Sequence, residues 1–122
     1  MTFQRQQLGI VGERLAVAAL EARGYAILAC RYKSDRGEID IVAEDGATLV
    51  FVEVRARATA EFGSAAESVT PAKQRQVTRV AVDYLARQGI SNRPCRFDVV
   101  AVDNALSDRP VITVYAGAFE AV

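Results

Sequence analysis

A tight-turn signal at Asp45-Gly46 separates two runs of residues that have the composition of β-strands. The runs cover residues 38–43 and 48–56 and are rich in apolar and β-branched residues, which favour extended structure. Asp-Gly between two such runs is the strongest short-range signal for a β-hairpin. The sequence therefore predicts two paired strands, which would bring Asp40 on the first close to Glu53 on the second.

Two helices are predicted, one on each side of this hairpin in the sequence. The first covers residues 8–23 and stops at Gly24. Its predicted apolar stripe, at three- and four-residue spacing, consists of Leu8, Val11, Leu15, Ala18 and Ala22. The second starts at Thr70-Pro71, an N-cap followed by proline, and runs to residue 88 before Gly89. Its predicted buried stripe consists of Val77, Val80, Ala81, Tyr84 and Leu85.

Three further strands complete the pattern, at residues 25–32, 96–102 and 111–115, with a polar break at residues 33–37. A mobile loop containing Phe62-Gly63-Ser64 is expected at residues 57–68. The order α-β-β-β-α-β-β predicts an α/β fold with a mixed β-sheet flanked by two helices. The long helical connection implies that the third and fourth strands run parallel. With 122 residues, about half of them apolar, the chain is expected to form one domain over residues 1–122.

The charge balance and the absence of histidine exclude several classes of protein. The 15 basic and 15 acidic residues cancel, which excludes a highly basic DNA-coating protein but allows a small enzyme with a charged groove. Without histidine, the chain cannot form a His-based zinc site or a Ser-His-Asp triad.

The cellular setting is predicted from what the chain lacks. No apolar run is long enough to span a membrane, and no charged-then-apolar leader opens the sequence. Cys30 and Cys95 lie in strand-like runs and are expected to be reduced core thiols rather than a disulfide. A cytoplasmic location, with no membrane partner, is therefore predicted.

Glu53 is the first candidate functional residue, because it stands between Val52 and Val54 in the middle of an apolar strand. A buried, unpaired carboxylate costs several kcal/mol, so it requires a cation or a metal ion. The alternative is an exposed edge strand on which Glu53 pairs with Arg55 or Arg57. Asp40, taken alone, is a weaker candidate, because acidic residues near a strand end are usually solvated.

Lys73 continues the buried stripe of the second helix into its first turn and is expected to point toward the sheet. A lysine at a helix N-terminus suits a phosphate contact, although its stem could also extend outward from the core edge. Arg75 and Arg79 form an outward row, which also fits a solvated helix face with Asp83. On the first helix, Glu13 lies at the margin of the apolar arc.

Glu13 has two interpretations. The small residues Gly9, Gly12 and Ala16 would let the first helix lie close to the sheet, so that Glu13 could reach the acidic pair. A salt bridge from Glu13 to Arg14 or Arg36 is equally consistent with the spacing.

Several longer motifs resemble those of the YraN family of small bacterial proteins. The motifs are Gly12-Glu13-Arg14-x-Ala16, Gly37-Glu38-Ile39-Asp40-Ile41-Val42-Ala43, Val50-Phe51-Val52-Glu53-Val54-Arg55, Phe62-Gly63, Ser68-Val69-Thr70-Pro71-x-Lys73 and Arg96-Phe97-Asp98-Val99-Val100. The resemblance spans roughly residues 9–119. It implies a restriction-endonuclease-like fold, related to that of archaeal Holliday-junction resolvases.

The resemblance also implies roles for individual residues. Asp40 and Glu53 would be the two acids of a PD-(D/E)-x-K site and, with the Val54 carbonyl and Glu13, would hold Mg²⁺ or Mn²⁺, which prefer oxygen ligands. Lys73 would supply a basic group from the second helix. Arg55 departs from the pattern, because it replaces the signature lysine and cannot accept a proton. The predicted catalytic residues are Glu13, Asp40, Glu53, Arg55 and Lys73. The predicted nucleic-acid contacts are Arg36, Arg57, Lys73, Arg75 and Arg79.

Two functions from different classes are consistent with the sequence. The first is a metal-dependent endonuclease that acts on DNA, including branched or otherwise structured DNA. The second is a nucleic-acid-binding accessory protein that keeps the acidic site but cleaves weakly or not at all. RNA as the substrate is a third, more remote reading. A homodimer is expected if the substrate is a two-fold symmetric junction.

Overall fold

Five strands form one mixed sheet whose spatial order follows the order of the chain. The computed structural model describes residues 3–59 and 68–121. The elements are α1 (Phe3–Ala22), β1 (Ala26–Ser34), β2 (Gly37–Asp45), β3 (Thr48–Ala56), α2 (Pro71–Gln88), β4 (Cys95–Asp103) and β5 (Val111–Phe119). The predicted α/β class and element order are therefore confirmed.

Strand pairing is antiparallel everywhere except between β3 and β4, which run parallel as the long helical connection predicted. The predicted hairpin joins β2 to β3, with Asp45 opposite Thr48 and Gly46 at a φ of 60° in the turn. Several elements are longer than predicted. The first helix starts at Phe3, β1 reaches Ser34, and β5 continues to Phe119.

The two helices cover opposite faces of the sheet. On one face, Ala16 and Leu20 of α1 pack against Ile41, Val52 and Val100. On the other, the stripe of α2 packs against Phe51 and other residues of the sheet. The stripe is buried at Val77, Val80, Ala81 and Tyr84, and Leu85 is partly buried. This arrangement places β3 at the centre of the sheet, covered on both faces.

Local chemistry fixes both ends of α2. The Thr70 hydroxyl accepts a hydrogen bond from the Lys73 backbone N–H at 3.2 Å, and Pro71 occupies the first turn. Gly89 ends the helix in the left-handed conformation, at a φ of 66°. Both ends agree with the sequence prediction, and the N-cap fixes Lys73 in the first turn.

The predicted stripe of α1 is partly wrong. Ala18 and Ala22 are exposed, and the buried residues are Gly12, Ala16 and Leu20. Small residues define the contact face because they allow the closest approach. A Cβ atom added at Gly12 would lie 2.5 Å from the Cβ of Ala56. The helix therefore lies almost directly on the end of β3.

Three other predictions concern the surface and the connecting loop. Cys30 and Cys95 are free thiols, as predicted, but both are exposed rather than in the core, because Cys30 lies on an edge strand and Cys95 begins β4. The motif Phe62-Gly63 and most of the predicted mobile loop lie outside the described residues. Within residues 3–59 and 68–121, no helix is long and apolar enough to cross a membrane.

Candidate metal and phosphate site

The site lies where β2 and β3 stop pairing. Their ladder runs from the hairpin to Ile41 opposite Val52, and the next residues in register are Asp40 and Glu53. At these two residues, hydrogen bonds from backbone N–H groups to side-chain carboxylates replace the backbone hydrogen bonds of the ladder. The Asp40 backbone N–H donates to Glu53 Oε2 at 3.4 Å, and the Val54 N–H donates to Asp40 Oδ2 at 2.8 Å. The end of the ladder thus brings the two predicted acids together.

The chain also changes face at Asp40. Ile39 packs in the cluster on the α2 side, whereas Ile41 packs in the cluster on the α1 side. Residues two apart on a regular strand share a face, so the alternation is broken between them. On the neighbouring strand, Arg31 has a φ of 54° and interrupts the pairing with β2 at the same level. The break gives the Asp40 carboxylate access to a cleft.

This cleft, with a volume of about 600 Å³, lies between the first half of α1 and the ends of β1, β2 and β3. Acidic and basic side chains both line it. The charged residues of its lining are Arg5, Glu13, Arg31, Glu38, Asp40 and Arg55. We call it the acidic-pair cleft; of the two acids, Asp40 lines it and Glu53 does not.

Glu53 is only 1% exposed, which makes it one of two buried carboxylates among the described residues. Burial, followed by the nearby negative charge of Asp40, raises the pKa of Glu53 to about 7. Burial also raises the pKa of Asp40, opposed by the Val54 N–H and the charge of Lys73. Each acid is therefore held in an environment that disfavours its own negative charge.

Lys73 supplies the charge that partly offsets this cost. Its Nζ atom lies 3.4 Å from Glu53 Oε1 and 3.3 Å from Gln76 Oε1. The side chain points to the sheet, as its helical spacing predicted. The alternative of an exposed edge strand is wrong, because β3 is central. Arg55 Nη1 contacts the Val54 carbonyl at 3.4 Å, and Arg57 pairs with Asp103 at 2.6 Å.

Glu13 lines the acidic-pair cleft, but its carboxylate is held by Arg31, whose Nε lies 2.9 Å from Glu13 Oε2. The structure thus gives Glu13 a salt bridge, although with neither Arg14 nor Arg36. Sequence reasoning missed Arg31. Its left-handed backbone coincides with a missing pair in the β1–β2 ladder, and no local residue pattern signals it.

The other predicted nucleic-acid contacts lie elsewhere. Arg36 lies 3.9 Å from Asp83 beside a separate cavity of about 480 Å³ near the β1–β2 turn. Arg75 and Arg79 are exposed on α2. None of these three, nor Arg57, lines the acidic-pair cleft, although all four belong to the described part of the chain. Of the five predicted nucleic-acid contacts, Lys73 therefore reaches the acids, and the four arginines do not line their cleft.

The fit to a divalent cation rests on the Asp40–Glu53 pair. Two desolvated carboxylates that repel each other present the oxygen ligands that Mg²⁺ and Mn²⁺ prefer, and Mg²⁺ retains several waters at such sites. Over residues 3–59 and 68–121, no group of three or more His, Cys, Asp or Glu side chains converges. The geometry therefore fits a two-carboxylate site, with Glu13 at its margin rather than within it.

The Arg96-Phe97-Asp98 motif forms a second polar network that is structurally complete. Asp98 is fully buried and accepts hydrogen bonds from Tyr25 Oη at 3.0 Å and the Gly117 N–H at 2.9 Å. Arg96 donates to it through Nε at 2.8 Å and Nη2 at 3.0 Å. These bonds tie β4 to an irregularity in its pairing with β5. This motif stabilises the sheet.

The fold and site define a small α/β domain with a paired-carboxylate centre, and comparison with known proteins gives its family. Residues 12–102 match the model of the uncharacterised protein family UPF0102. The chain belongs to this family, which is the YraN family that its motifs predicted.

Similar proteins occur in diverse bacteria, and three examples show the extent of the likeness. A UPF0102 protein of Geobacter sulfurreducens is 46% identical over 113 residues, covering 93% of this chain and 88% of the relative. One from Moorella thermoacetica is 44% identical over 120 residues, covering 98% and 100%. One from Ralstonia pickettii is 52% identical over 101 residues, covering 80% and 81%. The likeness therefore extends over most of both chains.

Proposed function

We propose that this protein is a metal-dependent endonuclease that hydrolyses phosphodiester bonds in DNA. The observation that carries the proposal is the buried pair of Asp40 and Glu53, which lie in adjacent strands at the point where their pairing ends. Placing two carboxylates together without enough positive charge to balance them is costly for folding alone. Such groups with raised pKa values in a cleft are typical of functional sites.

The two acids, Lys73 and Arg55 have separable tasks in this proposal. Asp40 and Glu53 would hold Mg²⁺ or Mn²⁺. When bound, the ion would lower the pKa of a water molecule and stabilise charge on the scissile phosphate. The positive charge of Lys73 favours the ionised form of Glu53. A carboxylate that binds a metal ion must be ionised. Arg55, which lines the cleft, would stabilise phosphate charge through its guanidinium and would not serve as a general base.

Branched or structured DNA is the substrate class that the family resemblance favours. A two-fold symmetric junction presents two equivalent strands for cleavage, and a homodimer would present two matching sites to them. Sedimentation of the protein with and without a four-way junction tests the dimer. A single monomer per junction at saturating protein would contradict it.

The alternative function is nucleic-acid binding without efficient cleavage. Arg55 favours it, because arginine in place of the signature lysine removes a group able to exchange a proton with the attacking water. The pairing of Lys73 with Glu53 also favours it, since that lysine already serves the acidic pair.

The deciding experiment incubates the protein with linear, flap, single-stranded and four-way junction DNA, in Mg²⁺, Mn²⁺ or EDTA. We expect metal-dependent cleavage that is lost in Asp40→Asn and Glu53→Gln. The matched control is Glu21→Gln, which changes an exposed carboxylate of α1 outside the cleft. Binding without cleavage under every condition would support the accessory function. Equal cleavage by all variants would show that Asp40 and Glu53 are not the site.

Arg55→Lys separates the two functions further. Lysine at this position would restore a group that can approach the attacking water, so we expect a higher rate of the cleavage step. Single-turnover kinetics at saturating protein measure the rate. A rate lower than that of the wild-type protein would show that the guanidinium is the better group in this cleft.

A further inference from the structure

Arg31 is the one residue of the acidic-pair cleft that combines an unusual backbone conformation with a charged, accessible side chain. Its φ of 54° is rare for a non-glycine residue and coincides with a missing pair between β1 and β2. This conformation occurs beside Asp40, where β2 changes face. The backbone therefore places a guanidinium at the wall of the cleft.

The ion pair between Arg31 and Glu13 forms that wall. Both residues line the cleft on one side and a shallow depression of about 280 Å³ on the other. The Glu13 side chain is 20% exposed and that of Arg31 is 54% exposed. Glu13 is thus the more fixed partner, and it holds the guanidinium of Arg31 at the mouth of the cleft.

The Arg31–Glu13 contact leaves most of the guanidinium available. The bond uses Nε, and the residues that the structure describes accept no other hydrogen bond from this side chain. The two Nη groups form a planar pair of donors whose geometry matches two oxygens of a phosphate. Glu13, through its hydrogen bond and charge, and the more distant Glu38 and Asp40 raise the pKa of Arg31, so the group stays charged.

We propose that Arg31 binds a backbone phosphate of the nucleic acid, with Glu13 positioning its guanidinium. This inference rests on the proposed function and specifies the path of the strand. The phosphate backbone enters over α1 and β1, where Arg5, Arg31 and Arg55 line the cleft. It does not follow the outer face of α2, where Arg75 and Arg79 are exposed and do not line the cleft. Glu13 is then a positioning residue.

The experiment measures binding of a fluorescent single-stranded oligonucleotide and its duplex by anisotropy in EDTA, at several salt concentrations. Arg31→Gln should weaken binding roughly tenfold, because a charge-assisted contact is lost. It should also reduce the slope of log affinity against log salt by about 0.7–0.9, the change expected for one phosphate contact. Arg31→Lys should retain the slope while binding more weakly, because it keeps the charge and loses the planar fork.

Arg109→Gln is the matched control, because it removes an exposed arginine outside the cleft. It should leave both the affinity and the salt slope unchanged. Wild-type affinity and slope in Arg31→Gln, an equal loss in Arg109→Gln, or failure of the wild-type protein to bind nucleic acid would each overturn the inference. The two proposals can fail separately. Normal cleavage and unchanged binding by Arg31→Gln would contradict only this inference. Binding that depends on Arg31, without any cleavage, would contradict only the proposed endonuclease function.

Discussion

The two buried carboxylates of the sheet, Glu53 and Asp98, are exposed to solvent by 1% and 0% but have opposite surroundings. Asp98 accepts hydrogen bonds from a tyrosine, a backbone N–H and two nitrogens of Arg96, all at 3.0 Å or less. Glu53 has one N–H at 3.4 Å, a half-buried lysine at 3.4 Å and a second acid beside it. Burial alone therefore does not distinguish a fully hydrogen-bonded acid from a poorly compensated one.

The difference shows which of the two carboxylates fits the proposed metal ion. The protein itself satisfies Asp98, so its network ties β4 to β5 and to Tyr25. The environment of Glu53 is incomplete, since its pKa is raised to about 7 by burial and by Asp40 despite the nearby Lys73. A bound cation would offset the negative charge of Glu53. Both carboxylate oxygens of Asp98 already accept hydrogen bonds, so they are not available to bind one.

The largest expected effect is a difference in the free energy of unfolding between variants of the two acids. Asp98→Asn should lower the free energy of unfolding by about 3–5 kcal/mol, because it leaves Arg96 without its buried partner. Glu53→Gln, an equally conservative change, should leave stability at pH 8 unchanged or raise it, because it removes a poorly compensated charge. Urea denaturation in EDTA measures both. A similar loss in the two variants would break the comparison.

The pH dependence of stability should sharpen the same contrast. The carboxyl of Glu53 has a pKa of 4.5 when unperturbed and about 7 in the folded protein. Its proton therefore stabilises the folded state fully below pH 4.5, and this contribution is lost as pH rises through 7. One pKa unit corresponds to about 1.4 kcal/mol.

We therefore expect the free energy of unfolding of the metal-free wild-type protein to decrease from pH 5 to pH 8, relative to that of Glu53→Gln. Urea denaturation at pH 5, 6, 7 and 8 in EDTA provides the measurement. Parallel curves for the wild-type protein and Glu53→Gln would show that Glu53 titrates normally in the folded state.

A smaller effect is expected where α1 approaches the site. Gly12→Ala would place a Cβ atom 2.5 Å from Ala56, so the helix must shift, at a cost of about 1–3 kcal/mol. Gly9→Ala is the matched control, because nothing lies within 4 Å of the added atom, and it should stabilise the helix by up to about 1 kcal/mol. Thermal unfolding compares the two variants, and equal melting temperatures would contradict the close contact.

Elements with local chemical signals were predictable from the sequence. Thr70-Pro71 and Gly89 gave both ends of α2, because a cap and a helix stop depend on neighbouring residues alone. Asp45-Gly46 predicted the hairpin and thereby the proximity of Asp40 and Glu53. The inward direction of Lys73 followed from its spacing to Val77 and Val80.

Features that depend on distant contacts were not predictable. The buried face of α1 is set by how closely Gly12 can approach Ala56, which apolar spacing does not report. The conformation of Arg31 depends on where β2 stops pairing regularly. Its salt bridge with Glu13 joins residues 18 positions apart across two elements. The charged wall of the cleft therefore became visible only in the folded chain.

Direct measurement of Mn²⁺ binding by isothermal titration calorimetry at pH 8 tests the central claim, that Asp40 and Glu53 form an incomplete site for a cation. The wild-type protein and Glu21→Gln should each bind one ion with the same affinity. Asp40→Asn and Glu53→Gln should lose that binding while remaining folded. Absence of binding to the wild-type protein, or unchanged affinity in Glu53→Gln, would contradict the claim.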